Sequence, residues 1–247
     1  MVASLDGDMS PMADSGSCRE ATAGTRSFHY TGERQHTIYL AAAPECGKQA
    51  FHQRIEREIV RAKQNYPDAR YPGIAGGAVG ISSLLEQHWD RQLTDFIHAT
   101  EYVGKIRERS IRSAVSEYER AHWQHEHCHR LKHDPDALDS LISEAARLSR
   151  RSALSQPVRD GTCSAWTCFG MHRRQMCYRD FLAEARPIGS SVTEAACKTL
   201  INQWLCALGM RWKTQGANIA LSLRGLTQAV GCWAQFWEQI AEFGAEC

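Results

Sequence analysis

The stretch Ser27-Phe28-His29-Tyr30-Thr31-Gly32-Glu33-Arg34-Gln35-His36-Thr37-Ile38-Tyr39-Leu40 decides the fold. Glu20 to Tyr30 reads as a strand with Phe28 and Tyr30 on one face. Thr31 to Arg34 supplies a turn, and His36 to Ala43 runs back as a second strand. Upstream, Val2-Ala3-Ser4-Leu5 is a short apolar run that Asp6-Gly7-Asp8 ends as a turn, placing Asp6 at the C-terminal tip of a first strand. Downstream, Phe51, Ile55, Ile59 and Ala62 mark a helix stopped by Pro67. Tyr71 to Ala78 is a short strand that breaks at Gly76-Gly77, and Ile81, Leu84, Leu85 and Trp89 suggest a helix. Gln92 to Ile97 is a further strand, and a longer helix begins near His98. Three strands, helix, strand, helix, strand, helix is the order of a mixed α/β fold with an antiparallel start and right-handed crossovers.

From Arg107 to Arg186 the pattern changes. Glu, Arg, His and Ala dominate and nothing alternates with a period of two, which predicts a helical insertion. Its helices are expected at Arg107–Lys132 and Pro135–Leu148, followed by a linker rich in Ser, Cys and Arg. The last part, 187–247, is helical throughout. Gly189-Ser190-Ser191 opens a helix on which Val192, Ala196, Leu200, Trp204 and Leu208 recur as an apolar stripe, with Glu194 off that stripe. Ser191 and Glu194 also fit a capping box, and Glu194 and Lys198 an i,i+4 surface pair. An apolar helix from Ala217 to Leu226 and an aromatic one carrying Trp233, Phe236, Trp237 and Ile240 close the chain.

Composition bounds the function. The chain has 247 residues with 43% hydrophobic and 23% charged content, ordinary for a globular protein. No uncharged apolar run reaches the roughly 18–20 residues of a membrane span, and no secretory signal opens the chain. The expectation is a cytoplasmic protein without a membrane partner, whose ten cysteines are free thiols. The net charge of +1 hides an asymmetry: Arg147–Arg224 holds twelve Lys/Arg against four Asp/Glu. A basic half suits a polyanion such as DNA, and a solvated basic face fits equally well.

Three constellations could carry chemistry. Asp6 and Glu194 could hold Mg²⁺ or Mn²⁺ through carboxylate oxygens, although such chemistry calls for three or more acids. Asp95 and His98 sit where a strand hands over to a helix; they could flank one cleft, or His98 could cap and brace the junction. His125, His129 and His133 share one helical face at i,i+4 spacing beside Cys128, a set that zinc would accept and that a solvated face also explains.

Taken in order, Ser4-Leu5-Asp6-Gly7, His36 to Leu40, Tyr71 to Ala78, Asp95 to Tyr102 and Pro187 to Leu200 resemble bacterial insertion-sequence transposases, most closely the ISKra family. Three further segments agree: His129-Arg130-Leu131-Lys132-His133, Gly209-Met210-Arg211-Trp212-Lys213 and Leu221-Ser222-Leu223-Arg224. The resemblance implies a ribonuclease-H-like α/β core, with residues 1–106 as its first part, 107–186 as a helical insertion and 187–247 as C-terminal helices completing it. It implies an Asp-Asp-Glu triad with Asp6 as the first acid and Glu194 as the last, the tips of the first and fourth strands side by side, and Mg²⁺-dependent cleavage and strand transfer of DNA. It leaves room for a homo-oligomer.

The chain departs from the family pattern at several places. Where members read Ala-Asp-Gly-Ala this chain has Ala75-Gly76-Gly77-Ala78, so Gly76 replaces the second catalytic Asp. Ser191 replaces a glycine and Cys177 an Asp. The family's DNA-binding region upstream of the first strand is expected to be missing. The expectation is a truncated, catalytically impaired transposase, with a non-catalytic DNA-binding remnant as the other reading. Lys198, Arg211, Trp212 and Lys213 would then contact DNA, Trp212 by stacking on a base.

Overall fold

The hairpin forms, with a tighter turn than expected. The computed structural model describes residues 1–14, 16, 18–43, 49–76, 88–110, 116–150, 156–207 and 209–244. In it, β2 (Cys18–Tyr30) and β3 (Glu33–Ala42) are joined by Thr31-Gly32 alone. Both residues have positive φ, 49° and 83°, as a two-residue turn matched to the strand twist requires. β1 (Val2–Pro11) pairs antiparallel with β2 along its whole length and parallel with β4 (Pro72–Ala75) over Ala3–Leu5. With β5 (Arg91–Thr94) they make a mixed five-stranded sheet in the order β3-β2-β1-β4-β5, so the fold is α/β.

Asp6-Gly7-Asp8 does not turn the chain. Asp6 lies in the middle of β1 opposite Ala23, and Asp8 opposite Ala21. β2 offers ladder partners as far as Pro11, and paired backbone outweighs the local turn preference of Asp-Gly. Asp6 does stand just past the end of the parallel ladder, whose last pair is Leu5–Ala75.

The chain divides into two compact units: Met1–Ala75 with Val79–Arg91 and Ser190–Cys247, and Gly76–Ala78 with Gln92–Gly189. In the first, α1 (Gln49–Asn65) presents Phe51, Ile55 and Ile59 to Ala3, Leu5, Ala42, Ala75 and Trp89 on one sheet face. The other face carries Ala21, Ala23, Ala41 and Ala43, whose small side chains admit α7 (Ser191–Ala196), its π-helical continuation Cys197–Asn202, α8 (Gln203–Leu205) and α9 (Thr214–Gln228). α10 (Cys232–Phe243) follows. Trp89, expected in a helix, is instead in irregular backbone and lies over Gly73, where a Cβ would fall 1.8 Å from the indole. Ile81, Leu84 and Leu85 of that expected helix, and Gly77 and Ala78 of the expected strand end, lie outside the described residues.

The second unit is helical. α2 (Phe96–Ser110) starts two residues before His98, and Phe96 and Ile97 therefore leave the strand expected at Gln92–Ile97. The single helix expected at Arg107–Lys132 is broken. α3 (Glu117–His133) has its own start, a capping box in which Ser116 Oγ accepts from Glu119 N–H while the Glu119 carboxylate accepts from Ser116 N–H. α4 (Ala137–Ser149) follows. The segment expected as a linker folds as α5 (Gln156–Met171), a 3₁₀ turn (Arg173–Gln175) and α6 (Tyr178–Ala183). Thr162, Ala165 and Phe169 recur at helical spacing and are fully buried, a stripe too sparse to stand out among Ser, Cys and Arg.

Candidate functional site

Asp6 and Glu194 belong to the same unit. Strand alternation puts Asp6 on one face of β1 with Ser4, Asp8 and Ser10. Its Oδ1 accepts the Gly7 N–H at 2.8 Å, and the residue is half-buried. α7 and its continuation are tied across this surface at two places. Thr193 Oγ1 lies 2.6 Å from Thr25 Oγ1 of β2, and Asn202 Nδ2 donates to Asp8 Oδ2 at 2.6 Å. Between them in sequence is buried Cys197, whose thiol is pushed well above its ordinary range by burial and then by the nearby Asp6 charge. Glu194, half-buried, follows the first tie and accepts from Ser190 Oγ at 3.3 Å.

Two expectations for this helix are corrected. The Ser191–Glu194 capping box does not form: Ser190 occupies the cap, its carbonyl accepting from Thr193 N–H and Glu194 N–H. The buried stripe is Thr193, Ala196, Cys197, Leu200, Ile201 and Leu205, while Trp204 is 41% exposed. A strict four-residue stride drifts about 40° per step around an α-helix, so one face must mix spacings of three and four.

The second unit holds Asp95, His98 and Gly76. Asp95 is fully buried; its Oδ1 accepts the Ile97 N–H at 2.9 Å and its carbonyl the Ala99 N–H at 3.0 Å. The capping residue at this junction is therefore Asp95, not His98. His98 Nδ1 stands 3.6 Å from Glu101 Oε2, and its ring covers Gly76, where a Cβ would lie 2.4 Å from Nε2.

On the face of α3 that carries His125, His129 and His133, His129 packs against His133 at 4.6 Å, and burial pushes the Cys128 thiol up. On another face His127 stacks on Trp123 at 3.6 Å and bonds the Trp123 carbonyl through Nδ1. Among the described residues no group of three or more His, Cys, Asp and Glu is placed to hold a metal ion. Asp6 and Glu194 offer two carboxylates, fewer than the three or more acids that a two-ion site calls for.

Of the expected DNA contacts, Lys198, Arg211 and Lys213 are exposed. Trp212 is not a free stacking ring. Its Nε1 donates to the Trp204 carbonyl at 3.2 Å, its own carbonyl accepts from Ala13 N–H, and it packs against the core cluster beneath β1 and β2. The exposed ring is Trp204, with the Arg224 guanidinium 4.3 Å above it. Sequence reading missed Trp204 by placing it in the buried stripe, and missed Asp8 by reading a turn where alternation along β1 would have paired it with Asp6. No helix among the described residues is long and apolar enough to cross a membrane. Set against known proteins, the chain matches no protein-family model and no curated protein.

Proposed function

We propose that the chain is by descent a DDE-type DNA transposase, acting on DNA in a bacterial cytoplasm, whose strand-cleavage chemistry is impaired at Gly76. One observation carries the reading. Asp6, at the end of the β1–β4 parallel ladder, is spanned by the helix bearing Glu194, and the residue following β4 is a glycine. β1 and β4 run side by side, in keeping with the ribonuclease-H-like core that the resemblance implies. Glycine offers no side-chain carboxylate, and removing one of three carboxylates withdraws charge stabilisation where the transition state needs it. The cofactor of the intact site would be Mg²⁺ or Mn²⁺.

A second reading, DNA binding without cleavage, is favoured by the first unit's exposed Lys198, Arg211 and Lys213 and by the Trp204–Arg224 stack. The test is nicking of a supercoiled plasmid in Mg²⁺ or Mn²⁺, alongside salt-dependent binding to the same DNA. The expected result is binding without nicking for the wild type, metal-dependent nicking for Gly76→Asp, and its loss again in Gly76→Asp/Asp6→Asn. Nicking by the wild type that survives Asp6→Asn would overturn the site assignment.

A further inference from the structure

A cavity of about 510 Å³ opens in the first unit, lined by β2, β3, α1, α9 and α10. It is of the size that binds small molecules. Its lining runs round the β3 edge, from Arg26, His36 and Leu40 on the sheet face opposite Asp6 to Tyr39 and α9 on the other. It includes neither Asp6 nor Glu194.

The cationic floor is built. Arg26 is only 6% exposed; its Nη1 donates to the Glu58 carbonyl at 2.8 Å and its Nη2 lies 3.2 Å from Glu58 Oε2. Its Nε, also buried, has no hydrogen-bond partner, a costly omission for a charged group. Burial holds the Arg26 guanidinium below its ordinary range, against the opposing charge of Glu58. Arg61 lines the same cavity and is exposed, so two guanidiniums face one carboxylate there. The walls are aromatic: Phe28 lies 5.0 Å from the Arg26 guanidinium and meets Tyr66 edge-on at 5.4 Å, and Phe236 of α10 also lines the space.

We propose that this cavity is a binding site for a small planar aromatic carboxylate, its ring between Phe28, Tyr66 and Phe236 and its anion on Arg26 and Arg61. The ring gains apolar burial and edge contacts, while the carboxylate meets the excess positive charge of Arg26 and Arg61 over Glu58. The inference does not rest on the transposase reading.

The test uses the full chain and two probes of one shape, 2-naphthoate and the neutral 2-naphthalenemethanol, titrated by calorimetry and by saturation-transfer NMR. Naphthoate is expected to bind at least ~10-fold more tightly than the alcohol, the scale of one charge-assisted hydrogen bond. Arg61→Gln should weaken naphthoate several-fold, and Glu58→Gln, by removing the competing anion, should tighten it. Trp237→Ala, an exposed ring of α10 outside the cavity, should leave it unchanged. Equal affinity for the two probes, insensitivity to Arg61 and Glu58, loss of binding with Trp237, or no binding at millimolar probe would each overturn the proposal. Because Arg61 is exposed, its variant keeps the test readable even if replacing buried Arg26 prevents folding.

Discussion

Two aspartates stand at comparable points of the sheet and are employed in opposite ways. Asp95 directly follows β5, is fully buried, and caps α2 through the Ile97 N–H. Asp6 directly follows the last β1–β4 pair, is half-buried, and accepts its neighbour's amide near the buried Cys197 thiol. A carboxylate just past a strand or a parallel ladder is thus not a functional signal in itself. What separates the two is whether a new helix needs its first amides satisfied there.

The comparison can be broken most forcefully at Asp95. Asp95→Ala should cost about 2 kcal/mol in urea unfolding, with Asp95→Asn costing less because an acceptor remains. Asp6→Asn should cost no more than about 0.5 kcal/mol, since its amide partner is local and the site is part-exposed. An Asp6 variant as destabilising as the Asp95 one would erase the distinction.

Between those extremes lies Cys197. Cys197→Val removes the thiol facing Asp6 and should cost about 1 kcal/mol, whereas Cys197→Ser keeps a donor and should cost less. The native thiol, buried and raised, should also resist iodoacetamide at mildly alkaline pH while exposed Cys18 is labelled, as read by peptide mass spectrometry. Equal labelling of the two would show that α7 does not stay seated over β1.

The smallest effect extends the Asp95 side of the contrast to α3. The Ser116 hydroxyl and then its N–H hold the Glu119 carboxyl below its ordinary range, and the Asp136 N–H and then Arg130 do so for Asp134. A depressed carboxyl contributes stability that is present above its unfolded value and lost as pH falls through the folded one. Glu119→Gln should therefore lower the neutral plateau slightly and leave the acid end unchanged, flattening the limb between about pH 5 and pH 2. An unchanged acid limb would mean the capping box does not persist in solution.

The sheet was legible in the sequence wherever side chains alternate and turns are short. Phe28 and Tyr30 before Thr31-Gly32 marked the hairpin, and Phe51, Ile55 and Ile59 marked α1. Where long-range pairing competes with local preference, the sequence misled. Asp6-Gly7-Asp8 looks like a turn because nothing local reveals that β2 will pair through it. The fully buried Phe169, Tyr178 and Phe181 were lost among polar neighbours for the same reason, since their burial is decided by helices distant in sequence. At the candidate site, Asp6 and Glu194 were singled out as a carboxylate pair and again by resemblance, whereas Asp8, Trp204 and the covering of Gly76 by His98 required coordinates.

The π-helical turn at Cys197–Asn202 has a further consequence. Each such turn spends one residue more than an α-helix does to climb a comparable distance, so it works as a phase adjuster between the two ends of one rod. Upstream of it the rod's angular setting is fixed by Thr193 against β2; downstream, by Leu205 in the core and by Trp212 on the Trp204 carbonyl. Deleting one residue within this turn would make the winding uniform and rotate one end relative to the other by about 100°. Either Glu194 would swing away from Asp6, or Trp204 would turn inward and leave Arg224 behind. The Glu194 and Trp204 surfaces are therefore geared together by a single residue of excess length.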